Sequence, residues 1–182
     1  MDYTKEKREL FLMRQIYMTL MSLSRKLDAR YGKHAKNLTA RQYLIILAIR
    51  LSPQNESTMA NIAKKLCTTK QNTAQLIFVL ERKGYVSRSA CEDNKREVKI
   101  EVTKSGLDAM LEYAETDAAV MTEIFDEFTE QEMEILWSLL KKLHYYDGVG
   151  HSDFEFDTYR LFESEYCELL TKILDEYKKR KC

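Results

Sequence analysis

TMANIAKKLCTTKQNTAQLIFVLERKG, residues 58–84, decides the fold of this 182-residue chain. Met59, Ile62, Ala63 and Leu66 recur at helical spacing, so a short helix starts near Thr58. After Cys67-Thr68 comes Thr69, whose hydroxyl can accept a hydrogen bond from an amide of the next helix's first turn. That second helix runs to about Lys83, with Thr73, Leu76, Ile77 and Leu80 on one face, and Gly84 closes it. Two short helices joined by a three-residue turn make a helix-turn-helix. The other face of the second helix begins Lys70-Gln71-Asn72 and continues with Gln75. Those side chains suit base edges and phosphates in a major groove, and they also occur on any solvated helix.

Downstream, residues 85–91 read as a strand, and residues 97–103 (EVKIEVT) alternate polar and apolar with period two. Between them Glu92-Asp93-Asn94-Lys95-Arg96 is polar and turn-prone. A hairpin following a helix-turn-helix is a wing, and its tip carries Lys95 and Arg96, cations of the kind a narrow minor groove attracts.

Long helices flank this unit. Leu10, Phe11, Ile16, Tyr17, Leu20, Leu23 and Leu27 form an apolar stripe over residues 5–30, with Gly32 as its expected stop. The stripe is wide enough to serve either as internal core or as a contact with a partner. Thr39-Ala-Arg-Gln42 is a capping box opening a buried helix that ends at Ser52-Pro53. Beyond the wing, helices are expected over about 105–128 and, from a second capping box at Thr129-Glu-Gln-Glu132, to about Tyr146. A last amphipathic stretch covers Phe154 to Lys179 after Gly148-Val-Gly150. The fold class is therefore mainly α with a small β-hairpin wing: a winged helix-turn-helix plus a helical region.

One proline and five glycines fit this helical reading. The net charge of zero hides a dipolar chain: residues 1–106 hold 21 basic and 10 acidic side chains, and residues 107–182 hold 8 and 19. Such asymmetry points to a nucleic-acid face on the basic half. The longest apolar run, Tyr43–Ile49, is far too short for a membrane span, and the polar start has no signal core, so a cytoplasmic location is expected. Cys67, Cys91, Cys167 and Cys182 are scattered, as expected of reduced thiols. There is no glycine-rich phosphate loop. His34, His144 and His151 lack catalytic or metal-ligand spacing, so no catalytic residue, metal or cofactor is expected.

Taken in order, these residues resemble the MarR family of winged helix-turn-helix transcriptional regulators. The resemblance covers roughly residues 8–147. It rests on Leu38-Thr-Ala-Arg-Gln-Tyr-Leu44, on residues 59–66, on residues 69–86, on Arg88 and the wing, and on Val102-Thr-Lys-Ser-Gly106. It implies a homodimer on a pseudo-palindromic double-stranded DNA site, often a repressor released by a small-molecule effector or by oxidation. Residues 1–34 would then be an N-terminal dimerisation helix, 35–104 the DNA-binding region, and 105–148 the C-terminal dimerisation helices. Residues 149–182, beyond the family's usual end, would be an extra acidic C-terminal helix. DNA contacts would fall to Thr69, Lys70, Gln71, Asn72, Gln75, Arg88, Lys95 and Arg96. The family's wing usually carries Asp-x-Arg; here Asn94 stands where the Asp would be, which gives up a charge-assisted pair with Arg96. Family members bind effectors between the dimer region and the winged domain, where aromatic residues such as Tyr17 or Tyr43 are available.

A rival reading keeps the fold and makes it a protein-interaction module with little DNA binding. The altered wing and zero net charge favour that reading; Lys70, Gln71 and Arg96 oppose it. Cys67 in the turn and Cys91 near the wing are either small fillers or thiols whose oxidation would disturb DNA contacts.

Overall fold

A computed structural model describes residues 4–34, 36–53, 56–90 and 98–148, together with Thr171, Asp175, Tyr177 and Lys178. The elements run α1 (Lys5–His34), α2 (Ala40–Arg50), α3 (Met59–Lys65), α4 (Lys70–Arg82), β1 (Val86–Ala90), β2 (Val98–Val102), α5 (Lys104–Ile124) and α6 (Glu130–His144). Lys95, Arg96, Asn94 and Cys91, like most of the expected C-terminal helix, lie outside the described residues.

Local chemistry sets most of the boundaries. Thr39, Thr58, Thr69, Thr103 and Thr129 are all N-caps in extended conformation, each accepting from the amide three residues on. Both expected capping boxes form, with Gln42 and Glu132 reaching back to the cap amide. Gly84, at φ +74°, ends α4: its amide bonds Glu81 O and that of Tyr85 bonds Leu80 O. That pair of bonds needs a left-handed residue, which glycine adopts without a Cβ penalty. Cys67 does the same after α3 at φ 48°, with Thr68 N bonding Ala63 O. Gly32 does not stop α1, which continues to His34. The next-door Tyr31 is buried and holds the last turn on the core.

The core is small and aliphatic. Ile45 and Ile46 of α2, Ile62 of α3, Ile77 and Leu80 of α4 and Ile100 of β2 are essentially inaccessible. Burying each such side chain contributes about 1.5–3 kcal/mol. The two strands pair antiparallel from Val86↔Val102 to Ala90↔Val98. Ile100 N also donates to Ser57 O at 3.0 Å, which fastens the hairpin to the segment entering α3. Ile100 is buried, whereas Val98 is 48% exposed.

The long helices behave differently. Most of α1 is exposed and only its last turns pack on α2 and α5; α6 has no buried residue. Arg30 pairs with Glu123 between α1 and α5, and Asp28 with Arg41 at 3.0 Å between α1 and α2. No helix among the described residues is long and apolar enough to cross a membrane.

Candidate nucleic-acid interface

Helix α4 is clamped on one face and open on the other. Thr73, Ile77 and Leu80 are fully buried, and Lys70, Gln71, Asn72 and Gln75 are exposed. The inward residues fix the rotation of the helix, so the polar face must point outward. Thr69 caps its start, with Oγ1 accepting from Asn72 N at 3.2 Å. Asn72 Nδ2 in turn donates to Thr68 Oγ1 at 3.0 Å, which ties that side chain to the turn. Lys70, Gln71 and Gln75 have no such tether among the described residues, and the first turn of α4 holds no acidic residue. The exposed amides and positive end of the helix dipole lie there.

At its other end α4 is anchored to the rest of the domain. Lys83 Nζ donates to Asn37 O at 2.8 Å and to Gln42 Oε1 at 3.3 Å, joining α4 to the start of α2. Arg88 on β1 pairs through Nε with Glu81 at 3.1 Å. Strand β1 and α4 are thus joined by an ion pair. The structure groups Thr69, Lys70, Gln71, Asn72 and Gln75 at the start of α4, whereas Arg88 lies on β1 beside Glu81 in the last turn of that helix. The expected tip residues Lys95 and Arg96 are outside the described residues.

Two further side chains share the outward stripe. Phe78 is 53% exposed, and the Arg82 guanidinium carbon lies 5.9 Å from its ring centroid. Counting on from Gln71 by four, seven and eleven gives Gln75, Phe78 and Arg82, the spacing of a single helical face. That periodicity was available in the sequence; an aromatic residue in an apolar-rich helix is simply more readily assigned to the core.

Behind the domain, Tyr31 of α1, Tyr43 of α2 and Tyr113 of α5 gather. The Tyr43 and Tyr113 rings stack with centroids 4.6 Å apart, and Tyr31 and Tyr113 at 6.3 Å. Burial raises the Tyr31 and Tyr113 hydroxyls well above the ordinary phenol range, with Asp117 adding to it. Asp117 is itself raised, chiefly by burial, against a lowering contribution from Tyr31. The buried Tyr31 hydroxyl faces Asp117 without closing a hydrogen bond of normal length. Tyr17 stands apart, largely exposed on α1.

A helix-turn-helix whose second helix is followed by a packed two-stranded hairpin defines a winged helix-turn-helix protein. Residues 38–98 match the model of the MarR family. Among curated proteins it is similar to the HTH-type transcriptional regulator PapX of Escherichia coli, with 24% identity over 101 residues. That alignment takes in 56% of this chain and 62% of PapX, so the chain spans about three fifths of that relative's length. Among solved structures it is similar to the transcriptional regulator BldR of Sulfolobus solfataricus. The TM-score is 0.60 at 25% identity, covering 78% of this chain and 99% of the other. It also shares its fold with the S. aureus MepR–DNA complex, with a TM-score of 0.58 at 22% identity, covering 78% and 97%.

Proposed function

We propose that this protein is a DNA-binding transcriptional regulator that acts as a homodimer on a pseudo-palindromic site and represses from it. The observation that carries the reading is α4 itself. Thr73, Ile77 and Leu80 are fully buried, Lys70, Gln71 and Gln75 stand outward, and strand β1 is joined to the helix through Arg88 and Glu81. Such a helix offers amides that pair with adenine and a cation for guanine or phosphate. The MepR structure, which holds DNA, supports the same use of the fold.

The homodimer is supported by apolar surface left over after folding. Leu10, Met13 and Tyr17 on α1 and Ile135 and Leu139 on α6 are each about 60% exposed or more. Large apolar side chains left exposed at helical spacing on α1 and on α6 mark interaction faces. Two copies joined there would present two α4 helices, the requirement for reading two half-sites. Release by a small effector at the tyrosine-lined junction of α1, α2 and α5, or by oxidation of exposed Cys67, completes the reading.

The test is a gel shift of the full chain with random genomic fragments at 50 mM and 200 mM salt. The proposal expects retarded fragments that are lost at high salt, because each neutralised phosphate contributes a log–log slope of about −0.9. No retardation at the lower salt would favour the protein-interaction alternative.

A further inference from the structure

We infer that Phe78 is a specificity residue that reads the 5-methyl group of one thymine in each DNA half-site. The inference rests on the DNA-binding reading and deepens it.

At 100° per residue, Gln71, Gln75, Phe78 and Arg82 fall within an arc of about 60°. All four are exposed, and the opposite face of α4 is closed by Thr73, Ile77 and Leu80. Phe78 therefore points the same way as the two glutamines, not into the domain. A lone exposed apolar side chain needs no explanation of its own. Phe78, unlike its exposed neighbour Val79, lies within the polar stripe, between Gln75 and Arg82, on the helix whose outer face meets DNA in the proposed function.

The rise of 1.5 Å per residue puts Phe78 about 10 Å along the axis from Gln71. That exceeds the roughly 3.4 Å between successive base pairs, so Phe78 and Gln71 are placed to meet different bases. Among major-groove edges, the thymine 5-methyl is the one apolar group offered, and a phenyl ring is among the side chains that contact it. Arg82 places its cation by the ring, 5.9 Å from the centroid, which holds the aromatic face beside a positive charge suited to the flanking phosphate. The stripe thus combines amide readout, methyl readout and a phosphate anchor in chain order.

The experiment is a deoxyuridine scan. The probe is the duplex that the full chain enriches from a random-sequence pool. Each thymine is replaced in turn by deoxyuridine, which keeps its pairing and loses only the methyl. The full chain is expected to bind about fourfold more weakly at one thymine per half-site, the factor that covering one methyl-sized group supplies. Phe78→Ala is expected to bind the thymine and uracil duplexes alike at that position, with the rest of the scan unchanged. Phe78→Leu should keep part of the discrimination. Enrichment of a duplex with no uracil-sensitive thymine overturns the inference alone. So does a Phe78→Ala chain that keeps the full fourfold difference. Failure to enrich any duplex overturns the inference together with the DNA-binding reading beneath it.

Discussion

The Thr103 hydroxyl donates to the Gly84 carbonyl at 2.6 Å, and the same oxygen accepts from Gly106 N at 3.1 Å. The cap that ends α4 and the cap that begins α5 therefore share one side chain. Thr103→Val keeps the shape and removes both bonds. A loss of about 1–2 kcal/mol is expected in urea unfolding. An unchanged midpoint would mean that the hydroxyl does not join the helices in solution.

Gly106 is constrained by the same contact. A Cβ on residue 106 would lie 2.0 Å from Tyr85 O, a backbone atom that itself accepts from Thr103 N at 3.0 Å. The carbonyl has no free path away. Gly106→Ala should cost about 1–3 kcal/mol even though alanine favours helices. A stabilised variant in thermal unfolding would refute this close approach.

These contacts show what the sequence could and could not convey. The caps at Thr39, Thr69 and Thr129 were legible because each depends on residues only three apart. The second wing strand was legible from period two, although Val98 proved exposed. Gly32 was misread as a stop: a glycine permits the left-handed conformation but does not enforce it, and packing of Tyr31 carried α1 onward. Contacts such as Lys83 with Asn37, 46 residues apart, leave no local pattern. On α4 the polar part of the outward stripe is legible from residue type; Phe78 is not, because an aromatic residue is counted with the core by default.

Asp117 gives the fold a pH dependence. Burial raises its pKa, so the folded state holds the proton more tightly than the unfolded state. The resulting penalty is absent below the ordinary carboxylate range, grows as pH rises through the raised value, and is fully present above it. Asp117→Asn removes the charge and keeps an acceptor facing Tyr31. The variant should gain stability relative to the parent at pH 7 and lose that advantage near pH 3. Parallel stability curves across this range would contradict the assignment.

Arg88 and Glu81 test the charge logic of the interface. Both are more than a third exposed, so their pair adds little to stability, on the order of 0–1 kcal/mol. Arg88→Ala should reduce the log–log salt slope of DNA binding by about one, the loss of one phosphate contact. Glu81→Gln should leave the slope in place and tighten binding, since it removes a negative charge beside the interface. Fluorescence anisotropy over a salt series distinguishes these outcomes. Equal slopes for Arg88→Ala and the parent would confine Arg88 to its partner Glu81.

The most direct test of the account is selection of bound duplexes from a random-sequence pool by the full chain, with the mass of the complex read by light scattering. The account predicts an enriched inverted repeat whose half-site centres lie about 34–36 Å apart, one helical turn, bound by two chains. Gln71→Ala should shift the preferred base at one position in each half. A pool that stays random, or a single unpaired half-site bound by one chain, would contradict it.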